Sequence, residues 1–381
     1  MDGQWVIVTG DFNRKGGMDR ANYYFAWHLA ETFGERVHVV AHSCDEALSR
    51  HPRVTYHHVA RPWGKHLFGG LLLERAGRRI AARLTQENPQ TRVVVNGGNC
   101  DWPDINWAHF VHHPAPRLTP LGSWLRRQVK AWAHDRDIAT ERRSFQHARV
   151  IIANSEKSKQ DILGIGIDRA KIHVVYYGND SHEFGLTTAD ERTKARHRWG
   201  IAESERLAIF VGTLGIGAKK GLDTLLNACG KLPASWRVLA AGGGPVAYWQ
   251  GEVDRLGLTS RVRLLGHTTE IAQVMAAADV LVSPTRFEPY GLAVHEALCR
   301  GLPAIVSRGA GVAERYPAEL ADLLLHDPND AVELAGKMAA FDDRRAEFLA
   351  ATRVFGEELR NWTWKETTAA IVEVARQYAL R

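Results

Sequence analysis

Two doubly wound α/β domains are predicted for this chain, and three observations carry the prediction. The 381 residues amount to between two and three domains of ordinary size. Short apolar, β-branched runs recur along the whole chain and are mostly followed by stretches of helical period, the mark of βα units around a parallel sheet buried on both faces. The series of runs occurs twice, separated by the polar stretch 185–206.

The first series is Val6 to Val8, Val37 to Ala41, Val93 to Val95, Phe110 to Val111, Val150 to Ala153 and His173 to Tyr177. The second is Leu207 to Val211, Val238 to Ala241, Val262 to Leu265, Val280 to Val282, Ala304 to Val306 and Leu323 to Leu325, each leading into a loop bearing Gly, Pro or Ser and then a helix. The polar crossing Gly185 to Arg206 opens on the helix-start residues Thr187 and Thr188. It sets the expected division: residues 1–185 as one domain, 186–361 as the other. The amphipathic C-terminal stretch 362–381 (Trp364, Thr368, Ile371, Val372, Ala375, Tyr378) is expected as a helix returning to the first domain. Ligands in such sheets bind at the carboxyl ends of the strands, so the crevice between the domains is the expected site.

An apolar fraction of 45% and a charged fraction of 24% exclude wholesale disorder and fibrous repeats. The four cysteines, Cys44, Cys100, Cys229 and Cys299, form no Cys-x-x-Cys pair, so neither a zinc site nor a disulfide framework is indicated. The amino terminus carries an acid and no basic region before its apolar run, and no stretch reaches the roughly 18 apolar residues of a membrane span, so a cytoplasmic protein is expected. The net charge of +6 is lopsided: residues 1–185 hold 25 basic and 19 acidic side chains, whereas the remainder holds 24 of each. The asymmetry reads either as a first domain that attracts something anionic, whether substrate, nucleic acid or membrane surface, or as a slightly basic solvated surface.

The densest cluster of candidate chemistry follows the strand Val280 to Val282. It places Glu288 in a loop (Arg286-Phe-Glu-Pro-Tyr-Gly291) and Glu296 in the helix that begins at Gly291-Leu292, with seven residues between the two acids. Gly291 permits a tight turn, and the free N–H groups and dipole of the helix favour a phosphate. Glu296, one turn behind that start, offers a carboxylate that can accept two sugar hydroxyls. This pattern resembles the retaining nucleotide-sugar glycosyltransferases of family four, group 1, with their two-domain GT-B fold. Their Glu-x7-Glu signature is matched by Glu288 to Glu296, including Glu288-Pro-Tyr-Gly291 and the later Gly301-Leu-Pro303. The resemblance is strong over 207–330 and looser before that.

What the resemblance implies is specific. Glu296 would hold the nucleotide ribose; Glu288 would contact the donor sugar, with Tyr290, Gly291 and Leu292 beside the phosphates. The loop 210–223 ends the first strand of the second domain with several glycines and Lys219-Lys220, and a departing diphosphate must shed charge onto such cations. The family's Lys-Gly is kept as Lys220-Gly221, but its arginine is replaced by Thr213, which leaves Lys219 as the candidate second cation. The turn Ala241-Gly-Gly-Gly-Pro245, with Gly243, resembles the family's Gly-x-Gly-Pro on the nucleotide side, and 264–278 resembles the segment beside the base. In the first domain Gly16-Gly17 opens a helix toward the phosphates or acceptor, with Asp19 and Arg20 behind it. His112 in His109-Phe-Val-His-His-Pro114 matches the family's His-x-Pro and would bond the donor sugar, with His113 as the alternative. Asn154-Ser155 reads as a helix cap, and Tyr177-Gly-Asn-Asp180 only partly matches a family motif at the domain exit.

The implied reaction is retaining transfer of a hexosyl group from a UDP- or GDP-linked sugar to a hydroxyl acceptor, with the leaving phosphate taking the acceptor proton. The nucleotide sugar is then a substrate, and no cofactor or metal is expected: Asp135-Arg-Asp137 resembles the metal triplet of another glycosyltransferase class but reads as a solvated helix surface. Basic, apolar stretches at 61–83 and 121–132 (Leu121, Trp124, Leu125, Val129 and Trp132 with Arg126, Arg127 and Lys130) read either as core helices with wet arginines or as a grip on an anionic membrane or acceptor. Alternatives are an epimerase or phosphorylase on the same fold, or a non-catalytic protein on a membrane or nucleic acid; a nucleic-acid partner is not expected beside Lys220, Glu288 and Glu296.

Overall fold

The computed structural model describes residues 3–14, 16–62, 66–115, 124–216 and 219–378. The chain divides into two compact units, Met1–Gly178 with Trp364–Arg381, and Asn179–Thr363. The first holds strands Gln4–Val8 (β1), Asp11–Phe12 (β2), Arg36–Ala41 (β3), Ser43–Cys44 (β4), Val54–His58 (β5), Arg92–Val95 (β6), Ile105–Ala108 (β7), Val150–Ala153 (β8) and Ile172–Val174 (β9). Its helices are Gly17–Glu31 (α1), Glu46–Ser49 (α2), His66–Glu87 (α3), Trp124–His147 (α4) and Glu156–Leu163 (α5). Seven strands form one sheet in the order β5-β3-β1-β6-β7-β8-β9, and every pairing in it is parallel. β1, β7 and β8 are buried along their whole length, as strands of a sheet covered on both faces are.

The second unit holds helix Ala189–Trp199 (α6), then strands Arg206–Val211 (β10), Trp236–Ala241 (β11), Val262–Gly266 (β12), Val280–Ser283 (β13), Ala304–Ser307 (β14) and Leu324–Leu325 (β15). Between and after them run helices Leu222–Cys229 (α7), Val246–Arg255 (α8), Ile271–Ala277 (α9), Leu292–Cys299 (α10), Ala331–Asp343 (α11) and Arg345–Asn361 (α12). The parallel sheet is ordered β12-β11-β10-β13-β14-β15. In both sheets the strand order reverses beside the first strand, at β1/β6 and at β10/β13, and these are the switch points where loops part to leave a ligand crevice.

Three expectations are corrected. The first unit ends at Gly178, not 185, and the stretch read as a polar crossing is helix α6 of the second unit. Its polarity is that of a docked face: Arg192 and Arg196 both reach the buried carboxylate of Asp279, at 2.7 Å and 3.2 Å. Arg345 joins them from α12 at 2.5 Å, and the Leu207 N–H donates to the same carboxylate at 2.8 Å. A buried carboxylate is tolerated only when paired and hydrogen-bonded in this way. Thr188 starts α6 with a reciprocal capping box to Glu191. The strand expected at Phe110 to Val111 lies earlier, at Ile105–Ala108; its Asn106 is fully buried because its side chain bonds both the N–H and C=O of Gly97 and the Ser144 hydroxyl. Finally β5, the edge strand Val-Thr-Tyr-His-His, was hidden by its polar composition.

The last helix, Trp364–Tyr378 (α13), packs on the first unit. Trp364 stacks on Tyr24 of α1, and the Thr367 hydroxyl donates to the Tyr176 carbonyl at 3.0 Å. With α13 included, the first unit carries 28 basic and 19 acidic residues, a net +9, and the second carries 21 and 24, a net −3.

Candidate active site

The β10/β13 switch point brings two distant loops into backbone contact. The Lys219 carbonyl accepts the Arg286 N–H at 2.8 Å and the Thr285 hydroxyl at 3.2 Å. Gly221, at φ +76°, lies so close to the Pro284 carbonyl that a Cβ there would sit 1.9 Å from its oxygen, so only glycine allows the approach. Arg286 clamps the start of α7 through a two-pronged contact with Asp223 at 2.8 Å and 2.9 Å. With the loops so tied, the Lys220 ammonium forms an ion pair with the Glu288 carboxylate, both half-buried. Burial and the charge of Lys220 together lower the pKa of the Lys219 ammonium, so the two cations sense one another. Gly217 and Ala218 of this loop lie outside the described residues.

Gly291 caps α10 at φ +110° with no side-chain cap, which leaves the first turn of that helix to a ligand or solvent. The loop before it is pinned by the Gly311 N–H on the Glu288 carbonyl (3.1 Å) and the Val312 N–H on the Tyr290 carbonyl (2.6 Å). Glu296 sits on the second turn of α10 and is 5% exposed. Tyr290 is turned inward, 2% exposed, with its hydroxyl against His295 Nδ1 at 2.9 Å. The expectation of a donor contact from Tyr290 is thereby narrowed to its main chain. Burial, then the charge of Arg315, pushes His295 down to about 3, so it is neutral.

The second glycine turn packs directly on the first loop. The Leu214 N–H donates to the Gly243 carbonyl at 2.9 Å, and a Cβ on Gly242 would lie 1.8 Å from the Gly212 carbonyl oxygen. Thr213, which stands between them, is exposed. Lys219, Lys220, Glu288, Gly291, Leu292, Gly243 and Glu296 all belong to the second unit.

In the first unit Gly17 is the first residue of α1, and its cap Gly16 has φ +85° and no side-chain cap. Asp19 in that turn is pushed up to about 6 by burial and by neighbouring Asp11, against the opposing pull of Arg61 and Asn13. Burial would raise Asp11 too, but the Ser43 hydroxyl and the Arg61 guanidinium, each at 2.6 Å, outweigh it and hold the group low. Two carboxyls beside one glycine turn thus have their pKa values driven apart.

His112 follows β7 and is gripped by Glu141 of α4, a residue the sequence reading did not single out. One carboxylate oxygen accepts the His112 backbone N–H at 2.9 Å, the other meets ring Nδ1 at 2.5 Å. Glu141 is 1% exposed and His112 about a third exposed. The carboxylate accepts from Nδ1 and fixes the orientation of the ring, with Nε2 on its far side. No local signal marks Glu141, since a glutamate in a charged helix is ordinary. His113 is exposed. His109 is buried between Tyr177 and Asn22 and pushed down to about 3 by burial alone, so it is a neutral core group. Ser155 caps α5 by accepting the Ser158 N–H.

Asp135 and Asp137 are exposed on α4, and among the described residues no three His, Cys, Asp or Glu side chains gather to hold a metal. No described helix is long and apolar enough to cross a membrane. Leu121 and the side chains of Trp124, Leu125, Arg126, Arg127 and Lys130 lie outside the described residues; Val129 and Trp132 of the same helix, and Phe68, Leu71 and Leu72 of α3, are exposed.

Comparison with known proteins agrees with this geometry. Residues 15–183 match the family model described as Glycosyltransferase Family 4, and residues 205–341 match Glycosyl transferases group 1. A D-inositol 3-phosphate glycosyltransferase of Xylanimonas cellulosilytica is 29% identical over 244 residues, covering 61% of this chain and 57% of that protein. Its namesake in Mycolicibacterium smegmatis is 30% identical, covering 61% and 54%. The match thus spans a little over half the length of these relatives. Among solved structures, WaaG, a glycosyltransferase involved in lipopolysaccharide biosynthesis, superposes with a TM-score of 0.76 at 18% identity, covering 99% of this chain and 100% of its own. HepE of Anabaena, solved in complex with UDP and glucose, gives 0.74 at 18% identity, covering 98% and 99%.

Proposed function

Since the chain belongs to the family 4, group 1 glycosyltransferases and has the GT-B fold, we propose that it transfers a hexosyl group, with retention of configuration, from a nucleoside diphosphate sugar to a hydroxyl acceptor. The observation that carries this reading is the Lys220–Glu288 pair at the β10/β13 switch point, set between a glycine turn and the uncapped helix that bears Glu296. Glu296 holds the ribose. Lys220, seconded by Lys219, and the first turn of α10 take up charge as the diphosphate departs. Glu288 orients the sugar and keeps the Lys220 ammonium in place until the leaving group needs it. His112 offers Nε2 to a sugar hydroxyl, and the departing phosphate accepts the acceptor proton.

The net +9 of the first unit supports an anionic acceptor, held by Gly17 and its surroundings; relatives named for inositol phosphate fit that chemistry. The same charge suits a cytoplasmic protein that meets the membrane's inner face peripherally. A thermal-shift screen with UDP- and GDP-sugars tests the donor: a true donor at about 100 times its Kd adds about 2.7 kcal/mol of stability. NMR of the product then reads the anomer. Absence of stabilisation by every such donor, or an inverted anomer, refutes the proposal.

Glu141 acts through His112 and is a positioning residue. Glu141→Gln keeps the volume but removes the charge behind a charge-assisted hydrogen bond, so kcat falls about tenfold while nucleotide affinity, read by calorimetry, stays unchanged. A loss of nucleotide affinity instead would place Glu141 in the fold rather than in sugar positioning.

A further inference from the structure

One cavity of the first unit lies away from the loops that carry the proposed chemistry. It has a volume of about 440 Å³ and is walled by Arg36, Arg53, Arg83, His38, Gln4 and Leu84. Gln4 and Arg36 start β1 and β3, Arg53 immediately precedes β5, and Arg83 and Leu84 are in the last turns of α3. Because these strands are parallel, the cavity opens at their amino-terminal edge, opposite the carboxyl edge from which the glycine turn of Gly16 emerges. Donor and acceptor chemistry at the switch points therefore gives it no role.

Its walls select a ligand by charge. Three guanidinium groups line it against one carboxylate, Glu87, which is well exposed and 3.8 Å from Arg83 Nε. Arg53 is held in place by donating to the Gly34 carbonyl at 2.7 Å. The floor is a chain of hydrogen bonds. The Thr91 hydroxyl shares its one proton between Gln4 Oε1 at 3.0 Å and the Leu84 carbonyl at 3.1 Å, and Gln4 Nε2 meets His38 Nε2 at 2.9 Å. His38 Nδ1 in turn meets His57 Nε2 at 3.0 Å. Both rings are neutral: His38 is pushed down to about 4 by burial, by His57 and by the charges of Arg83 and Arg36, and His57 is lowered by burial and Arg83. A positive field thus fills a cavity whose polar floor is hydrogen-bonded and whose walls carry three arginines. Planar guanidinium forks match phosphate oxygens in pairs, and a volume of this size accommodates a small phosphorylated molecule.

We propose that the Arg36, Arg53 and Arg83 pocket is a second binding site, distinct from the transfer chemistry, that takes a compact phosphate-bearing anion such as a diphosphate or a phosphate monoester. Calorimetry with inorganic pyrophosphate tests it on three proteins: the unaltered chain, the triple variant R36Q/R53Q/R83Q, and Lys220→Ala. The expected result is binding that weakens at least about tenfold in the triple variant, from loss of charge-assisted contacts, and persists in Lys220→Ala. The single variants Arg36→Gln and Arg83→Gln, each at an exposed position, show the same direction and cover a folding defect in the triple. No binding to the unaltered chain, or binding lost in Lys220→Ala and untouched by the arginine changes, overturns the proposal. Vesicles of phosphatidylcholine with and without phosphatidic acid identify the source. Arginine-dependent binding to the acidic vesicles indicates a lipid headgroup, and pyrophosphate binding without it indicates a soluble phosphate. Because the readout depends on the arginines alone, it survives or fails independently of the donor assignment.

Discussion

Glu296→Ala raises the dissociation constant for the donor nucleotide about 10²- to 10³-fold. The carboxylate is 5% exposed on a helix whose first turn is uncapped, so its desolvation has already been met in the folded protein and a ribose finds it preorganised. Two hydroxyl donors on one carboxylate are charge-assisted hydrogen bonds worth about 1.5–3 kcal/mol each. Their joint loss corresponds to the stated range after allowance for water refilling the gap. Glu296→Gln retains one good acceptor and loses less. Calorimetry with UDP and GDP reads the effect, and a melting curve run alongside separates it from a folding defect. Nucleotide affinity unchanged in a folded Glu296→Ala protein removes the ribose assignment.

Lys220→Ala lowers kcat about 10²- to 10³-fold, the scale of removing one preorganised donor to developing negative charge, and weakens nucleotide binding by less than about tenfold. The asymmetry follows from the ion pair. In the resting protein Lys220 is already neutralised by Glu288, so its attraction for ground-state diphosphate is muted. Full benefit comes only as the leaving phosphate accumulates charge, which places the effect in the transition state. Removing Lys220 also leaves Glu288 without its counter-charge. Glu288→Gln in the same background therefore costs less than it does alone, and a double-mutant cycle shows a coupling of the kind expected for residues in contact. Equal losses in kcat and nucleotide affinity would show Lys220 to be a simple ground-state anchor.

Where the sequence reading went astray, the cause was a partner remote in the chain. Polar residues at 185–206 looked like a linker because nothing local announces that Arg192 and Arg196 point at Asp279, more than 80 positions away. The strand expected at Phe110 to Val111 lies at Ile105–Ala108, where Asn106 is satisfied by Gly97 and Ser144 only after folding. The charge asymmetry was visible, yet its size depended on how the chain divides: ending the first unit at Gly178 leaves out Asp180 and Glu183, and the returning segment 364–381 adds a net +1, so the first unit is +9 rather than +6.

From sequence alone came the two parallel sheets, the glycine turns, the uncapped helix at Gly291 and the spacing of Glu288 and Glu296. These are local properties: hydrophobic period decides which strands are buried on both faces, and glycine and helix-start chemistry act within a few residues. Tertiary structure alone decided that Lys220 and Glu288, 68 residues apart, form one charged pair. It also decided that Glu141 grips His112 and that three arginines from two strand edges and a helix end share one cavity. Those pairings depend on the order of strands in a sheet and on backbone approach as close as that of Gly221 to Pro284. Distance through space sets electrostatic energy, and distance along the chain does not.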